Sequence, residues 1–165
     1  MATLTVTHTE SISLNGSQQG GTNSYTIANI TQIYKNLVTV PANADTYLMA
    51  TQSSVADAKT GTDITAPLLD VDLVKYIRVT NLDGSNAVNL SLQIDPGEDD
   101  TAANYSTTIL LSAGESFVMG VPNDGIATSD ANANVIADLV DLRAIIADSL
   151  GNSVKMEVFV ASINA

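Results

Sequence analysis

Positions 3, 5, 7, 9, 11 and 13 of the chain are Thr, Thr, Thr, Thr, Ser and Ser, and between them stand Leu4, Val6, His8, Glu10, Ile12 and Leu14. A period of two places these sets on opposite faces of an extended strand. Asn15-Gly16 follows, a dipeptide suited to a hairpin turn, although the polar run to Asn23 points to a loop longer than two residues. Residues 25–40 read as one long strand or two, with Tyr34, Val38 and Val40 on one face. Pro41 ends that run, because it has no N–H to give to a ladder. A short strand over residues 46–52 carries Tyr47, Leu48 and Met49, and residues 53–72 read mainly as loop.

Alternation returns at residues 75–81. The segment 82–86 is a turn, with Asp83-Gly84 as its hairpin pair. Val88, Leu90, Leu92 and Ile94 then alternate with polar or small residues, the pattern of a half-buried strand. An acidic, turn-rich insert at 95–104 precedes a second expected hairpin, with arms at 106–111 and 115–121 joined at Ser112-Ala113-Gly114. A third pairs 140–147 with 154–162 around Leu150-Gly151-Asn152. Val135, Leu139, Leu142 and Ile146 fall at helical spacing, so a short helix over 132–139 is compatible with the sequence. Beyond it, β-branched residues and the alternation of Val140, Leu142, Ala144 and Ile146 favour strand. The expectation is an all-β chain: an antiparallel, jelly-roll-like β-sandwich of eight to ten short strands with at most one short helix. No composition break divides it, so residues 1–165 are expected to form a single domain.

Composition strengthens the β reading. Thr, Ser and Asn number 47 of the 165 residues, whereas Glu, Lys and Arg, all strong helix formers, number only ten. Leu, Ile, Val and Phe number 45, enough for a core of the chain's own. No apolar run approaches the roughly 18 residues of a membrane helix, and the opening residues lack a basic and apolar leader. Synthesis in the cytoplasm, with no membrane partner, is the expectation.

Charge and missing residue types exclude more. Eighteen acidic against six basic side chains give a net charge of −12, too few cations for a phosphate-binding patch, so no nucleic-acid partner is expected. The absence of cysteine removes disulfides and thiol nucleophiles, and one histidine cannot build a zinc centre. That histidine, His8, lies on the less polar face of the first strand, with no Gly-x-Ser-x-Gly elbow in the chain to partner it. It reads as structural, at a sheet edge or subunit contact. Asp95, Glu98, Asp99 and Asp100 are the best cation candidates, but their spacing is not that of an EF-hand and equally describes a solvated turn. The step Ala113-Gly114-Glu115-Ser116-Phe117 is similar to one in cupin barrels, whose metal site needs several histidines; Gly114 is read as permitting a turn. Asn-x-Ser/Thr occurs at Asn15, Asn29, Asn89 and Asn104, about the chance frequency in so polar a chain. No catalytic, cofactor-binding or metal-binding residue is assigned, and no cofactor or enzymatic activity is expected.

Several segments together carry a family likeness. They are residues 1–10 with Leu14-Asn15-Gly16, and Ile33-Tyr34-Lys35 leading to Val38-Thr39-Val40-Pro41. Residues 75–83 followed by Ala87-Val88-Asn89-Leu90, the 113–117 step and the closing residues 154–162 complete the set. This set resembles small β-rich structural proteins of tailed bacteriophages, particularly those of marine and cyanobacterial hosts. The resemblance implies a repeated virion protein whose partners are the major capsid protein, other virion proteins or its own copies. A charge of −12 is repelled by packaged DNA, which favours the capsid exterior and the role of a decoration, or cement, protein. The alternative is a receptor- or glycan-binding module on a tail or fibre, with hydroxyl- and amide-rich loops at 52–63 and 124–134 to meet sugars.

Overall fold

The computed structural model describes residues 1–50, 69–70, 73–94, 105–120, 127–128 and 140–163. Thirteen strands lie within them: β1 (Ala2–Thr9), β2 (Ser13–Leu14), β3 (Ser17–Gln18), β4 (Thr22–Ile30), β5 (Gln32–Val40), β6 (Asp45–Ala50), β7 (Val74–Asn81), β8 (Val88–Ile94), β9 (Tyr105–Leu111), β10 (Ser116–Gly120), β11 (Ala127–Thr128), β12 (Val140–Ser149) and β13 (Val154–Ser162). Ten have five residues or more, in line with the sequence pattern, and the described residues contain no α-helix. The helix considered over 132–139 lies outside them. No helix among the described residues is long and apolar enough to cross a membrane.

Two antiparallel sheets form the sandwich. One has the order β10-β7-β13-β5; in the other β12 pairs β6, β8 and β11, and β8 pairs β9. Alternation along the central strands drives their packing. Val154, Met156, Val158 and Val160 of β13 and Ile77 and Val79 of β7 turn inward. From the facing sheet Leu90 and Leu92 of β8, Leu142 and Ile145 of β12 and Leu48 and Met49 of β6 meet them in one apolar cluster. Burial of each such side chain contributes roughly 1.5–3 kcal/mol, offset by the ordering of the chain.

The strand positions agree with the alternation, but three expected hairpins are corrected. β7 lies in the first sheet and β8 in the second; the same division separates β9 from β10 and β12 from β13. The turns at 82–86, 112–114 and 150–152 are therefore arches that cross from sheet to sheet. Asp83 shapes the first arch: its carboxylate accepts from the backbone N–H of Ser85 at 2.8 Å and of Asn86 at 2.7 Å. Asn81, fully buried at the end of β7, ties that arch to the next. Its Nδ2 donates to the carbonyls of Asn86 at 2.8 Å, Ser112 at 3.1 Å and Leu111 at 3.2 Å.

A third layer covers part of the outer face of the first sheet. β1 and β4 form a two-stranded ribbon whose Val6, Ile27 and Ile30 pack on Tyr76 of β7 and Ala161 of β13. At its base β4 carries one more residue than β1 between the pairs Ala2–Ile30 and Leu4–Ile27, and Asn29 takes the bulge with φ 62°. Thr31 then turns the chain into β5, its N–H donating to the Ser162 carbonyl at 3.0 Å.

Candidate functional site

His8 stands exposed on the ribbon, its ring stacked on Tyr25 with centroids 6.1 Å apart. Asp95, Glu98, Asp99 and Asp100 lie outside the described residues, as does the loop at 52–63 and nearly all of that at 124–134. Among the described residues no three His, Cys, Asp or Glu side chains cluster as metal ligands. Gly114 has φ 77°, and the Glu115 carboxylate closes the same arch by accepting the Ser112 N–H at 2.9 Å. Gly114 thus permits a turn, as read from the sequence, and Ser116 and Phe117 open β10.

What the fold brings together is a charged and apolar stripe on the outer face of the first sheet, beside the ribbon. Cross-strand partners share a face, so Arg78 of β7, Phe159 of β13 and Lys35 of β5 form one row across it. Glu157, one step along β13, takes Lys35 at 3.0 Å on one side and Arg78 on the other. The hydrogen bond from Lys35, together with that from Arg78 and the charge of both cations, lowers the Glu157 pKa against the opposing effect of burial. The Arg78 guanidinium also lies 5.6 Å from the centre of the Phe159 ring. Lys155 alternates onto the same face and is exposed. Three of the six basic residues of a chain at −12 thus share one sheet face. Ile33 and Leu37 flank Lys35 on edge strand β5 and are 61% and 67% exposed.

The second feature is an arm. From Leu4–Ile27 through Thr9–Thr22 to Leu14–Ser17 the two halves of the ribbon keep one register, closed by Asn15 (φ 51°) and Gly16 (φ 77°) as a two-residue turn. The longer loop expected up to Asn23 is corrected: residues 17–23 are mainly the returning half of the arm. They lack apolar alternation because the side chains on both faces of this part are exposed. The Thr/Ser positions supply cross-strand hydrogen bonds instead, Thr7 to Ser24 at 3.1 Å and Thr9 to Thr22 at 3.3 Å. Every residue from 7 to 24 is exposed except Gly20, which is half-buried. At the end stand Ile12 and Leu14, 57% and 59% exposed.

A groove of ≈ 290 Å³ opens where β5 and β6, edge strands of the two sheets, come together. Tyr34, Asn36, Thr39 and Tyr47 line it with Leu37, Val38 and Leu48, and Asn36 Nδ2 donates to the Tyr34 hydroxyl at 2.9 Å. Sequence reasoning did not single out Lys35, Arg78 and Glu157 as a group. Each lies on an alternating strand, but only the pairing of β7, β13 and β5 makes them neighbours.

Comparisons with protein-family models, curated proteins and solved structures give no match for this chain.

Proposed function

We propose that the chain is a non-enzymatic structural subunit of a tailed-bacteriophage particle, a decoration or cement protein on the capsid exterior that stabilises the head through protein–protein contacts. The observation that carries this reading is the exposed arm of residues 7–24, a two-stranded element with exposed apolar side chains at its end. Such an element has little to contribute to the stability of its own sandwich and suits contact with another protein. The net charge of −12 supports an outward position, away from packaged DNA. The resemblance of the strand and turn segments to phage structural proteins supplies the particle.

A second reading, a tail- or fibre-borne glycan-binding module, is favoured by one observation: Tyr34, Tyr47, Asn36 and Thr39 converge on the β5–β6 groove. Electron cryomicroscopy of particles containing the chain separates the two. Density repeated over the capsomers supports the cement role, and density confined to the tail overturns it. Loss of the protein is expected to lower the temperature at which heads release DNA; an unchanged release temperature counts against the proposal.

A further inference from the structure

The arm and the β5 end of the stripe lie toward opposite edges of the first sheet. The ribbon starts beside β13, where Thr31 meets Ser162, and crosses the outer face so that the Tyr25 hydroxyl lies beside Gly120 of β10. Its continuation therefore leaves the sheet on the β10 side. Ile33, Lys35 and Leu37 occupy β5, the strand at the other edge. Among the described residues β10 pairs only β7 and β5 pairs only β13, so each has an unpaired outer edge.

We infer that these two features are halves of one head-to-tail interface between copies of this chain: the arm tip of one subunit, Ile12 and Leu14, covers Ile33 and Leu37 of the next. Three relationships support a second copy as the occupant. Donor and acceptor each present two exposed apolar side chains close to one charged residue, Glu10 before Ile12 and Leu14 on the arm and Lys35 between Ile33 and Leu37 on β5, and the charges are opposite. Among the described residues Lys35, Arg78 and Lys155 outnumber Glu157 on the acceptor face, the reverse of the balance in the whole chain, which favours an acidic partner such as a second copy. Geometry agrees as well. Between Thr7 and Leu14 the arm reaches roughly 23 Å at about 3.3 Å per residue, enough to clear β10 and cross a neighbouring edge strand. A copy set beside β10 in the same orientation presents its β5 antiparallel to β10, because β10, β7, β13 and β5 alternate in direction. An interface of two different patches is heterologous, so repetition closes a ring or extends a filament.

The inference concerns association of the chain with itself and holds or fails independently of any particle. The purified full chain is expected to sediment at tens of micromolar as a multiple of its 17.1 kDa mass. Ile12→Asp with Leu14→Asp disables the arm, and Ile33→Asp with Leu37→Asp disables the acceptor; each double variant is expected at the monomer mass with its melting temperature retained. Mixing the two leaves one intact arm and one intact acceptor and is expected to give a species of twice the monomer mass. A monomeric parent, variants that still assemble, or a mixture that does not recombine overturns the inference. Because the chain has no cysteine, Leu14→Cys combined with Leu37→Cys gives an independent readout without disruptive charges. Oxidation should yield a ladder of disulfide-linked multimers, and a product that stays monomeric overturns the inference equally.

Discussion

Gly20 lies so close to Glu10 across the arm that a Cβ on Gly20 would stand 2.0 Å from the Glu10 carbonyl oxygen. The obstructing atoms are backbone, so no side chain can swing aside. This contact sits midway between the Thr9–Thr22 and Ser13–Gln18 pairs, where the ladder is reduced to the Glu10 N–H donating to Gly21 and the Gln19 N–H donating to Ile12. Gly20→Ala must separate the two halves there. Hydrogen exchange at the Glu10 and Gln19 amides is expected to accelerate at least tenfold, while the melting temperature stays within a degree or two, because the arm is not part of the sandwich core. Unchanged exchange would show that the arm relaxes without loss of pairing.

Asn81 is the polar centre of the sandwich end. It is fully buried, and one side-chain amide serves three carbonyls while its Oδ1 accepts the Asp83 N–H at 2.9 Å. Asn81→Leu retains the approximate volume and strands these groups, so a loss of about 2–4 kcal/mol is expected by urea unfolding. A loss below about 1 kcal/mol would mean that water replaces the amide and that the arches do not depend on it.

Acid should weaken the fold through two carboxylates. Glu157 is lowered by Lys35 and Arg78, and Asp83 by the N–H groups of Ser85 and Asn86. A carboxylate depressed in the folded state contributes its stability above the ordinary carboxylate range and loses it as pH falls through the lowered folded value. Unfolding free energy should therefore be flat near neutrality and decline as pH drops from about 4.5 downward. Glu157→Gln is expected to reduce the steepness of that decline, and an identical acid profile for the variant would remove Glu157 from the explanation.

Two leucines on neighbouring strands provide a test of the core. Leu90 is fully buried and belongs to the central cluster; Leu110, opposite Asn89, is 57% exposed. Leu90→Ala is expected to cost about 2–5 kcal/mol and Leu110→Ala to stay within about 0.5 kcal/mol of the parent, both by denaturant unfolding. Similar costs for the two would place β9 differently from its register with β8.

Much of the fold was legible in the chain, strand by strand. The alternation of Val88, Leu90, Leu92 and Ile94 marked β8 because an apolar core on one face and a polar surface on the other leave a period of two. Pro41 marked the end of β5, and Asn15-Gly16 marked the arm turn, through conformations and donors that belong to those residues alone. The candidate surface was less legible. Ile12 and Leu14 continue the apolar row of Leu4 and Val6, and nothing local states that the sheet beneath them stops after Val6.

Sequence by itself thus determined the β class, most strand positions and the absence of thiol chemistry, since these follow from side-chain period and residue type. Tertiary structure decided which strands pair. A strand joined to the next by a short turn can face it through backbone hydrogen bonds, as a hairpin, or through side chains across a core, as an arch, and both leave the same alternating pattern. The arches after β7, β9 and β12 were settled by the gain from burying two apolar faces against each other. The same choice made neighbours of Lys35, Arg78 and Glu157 and left the arm of residues 7–24 exposed, with no covering sheet among the described residues.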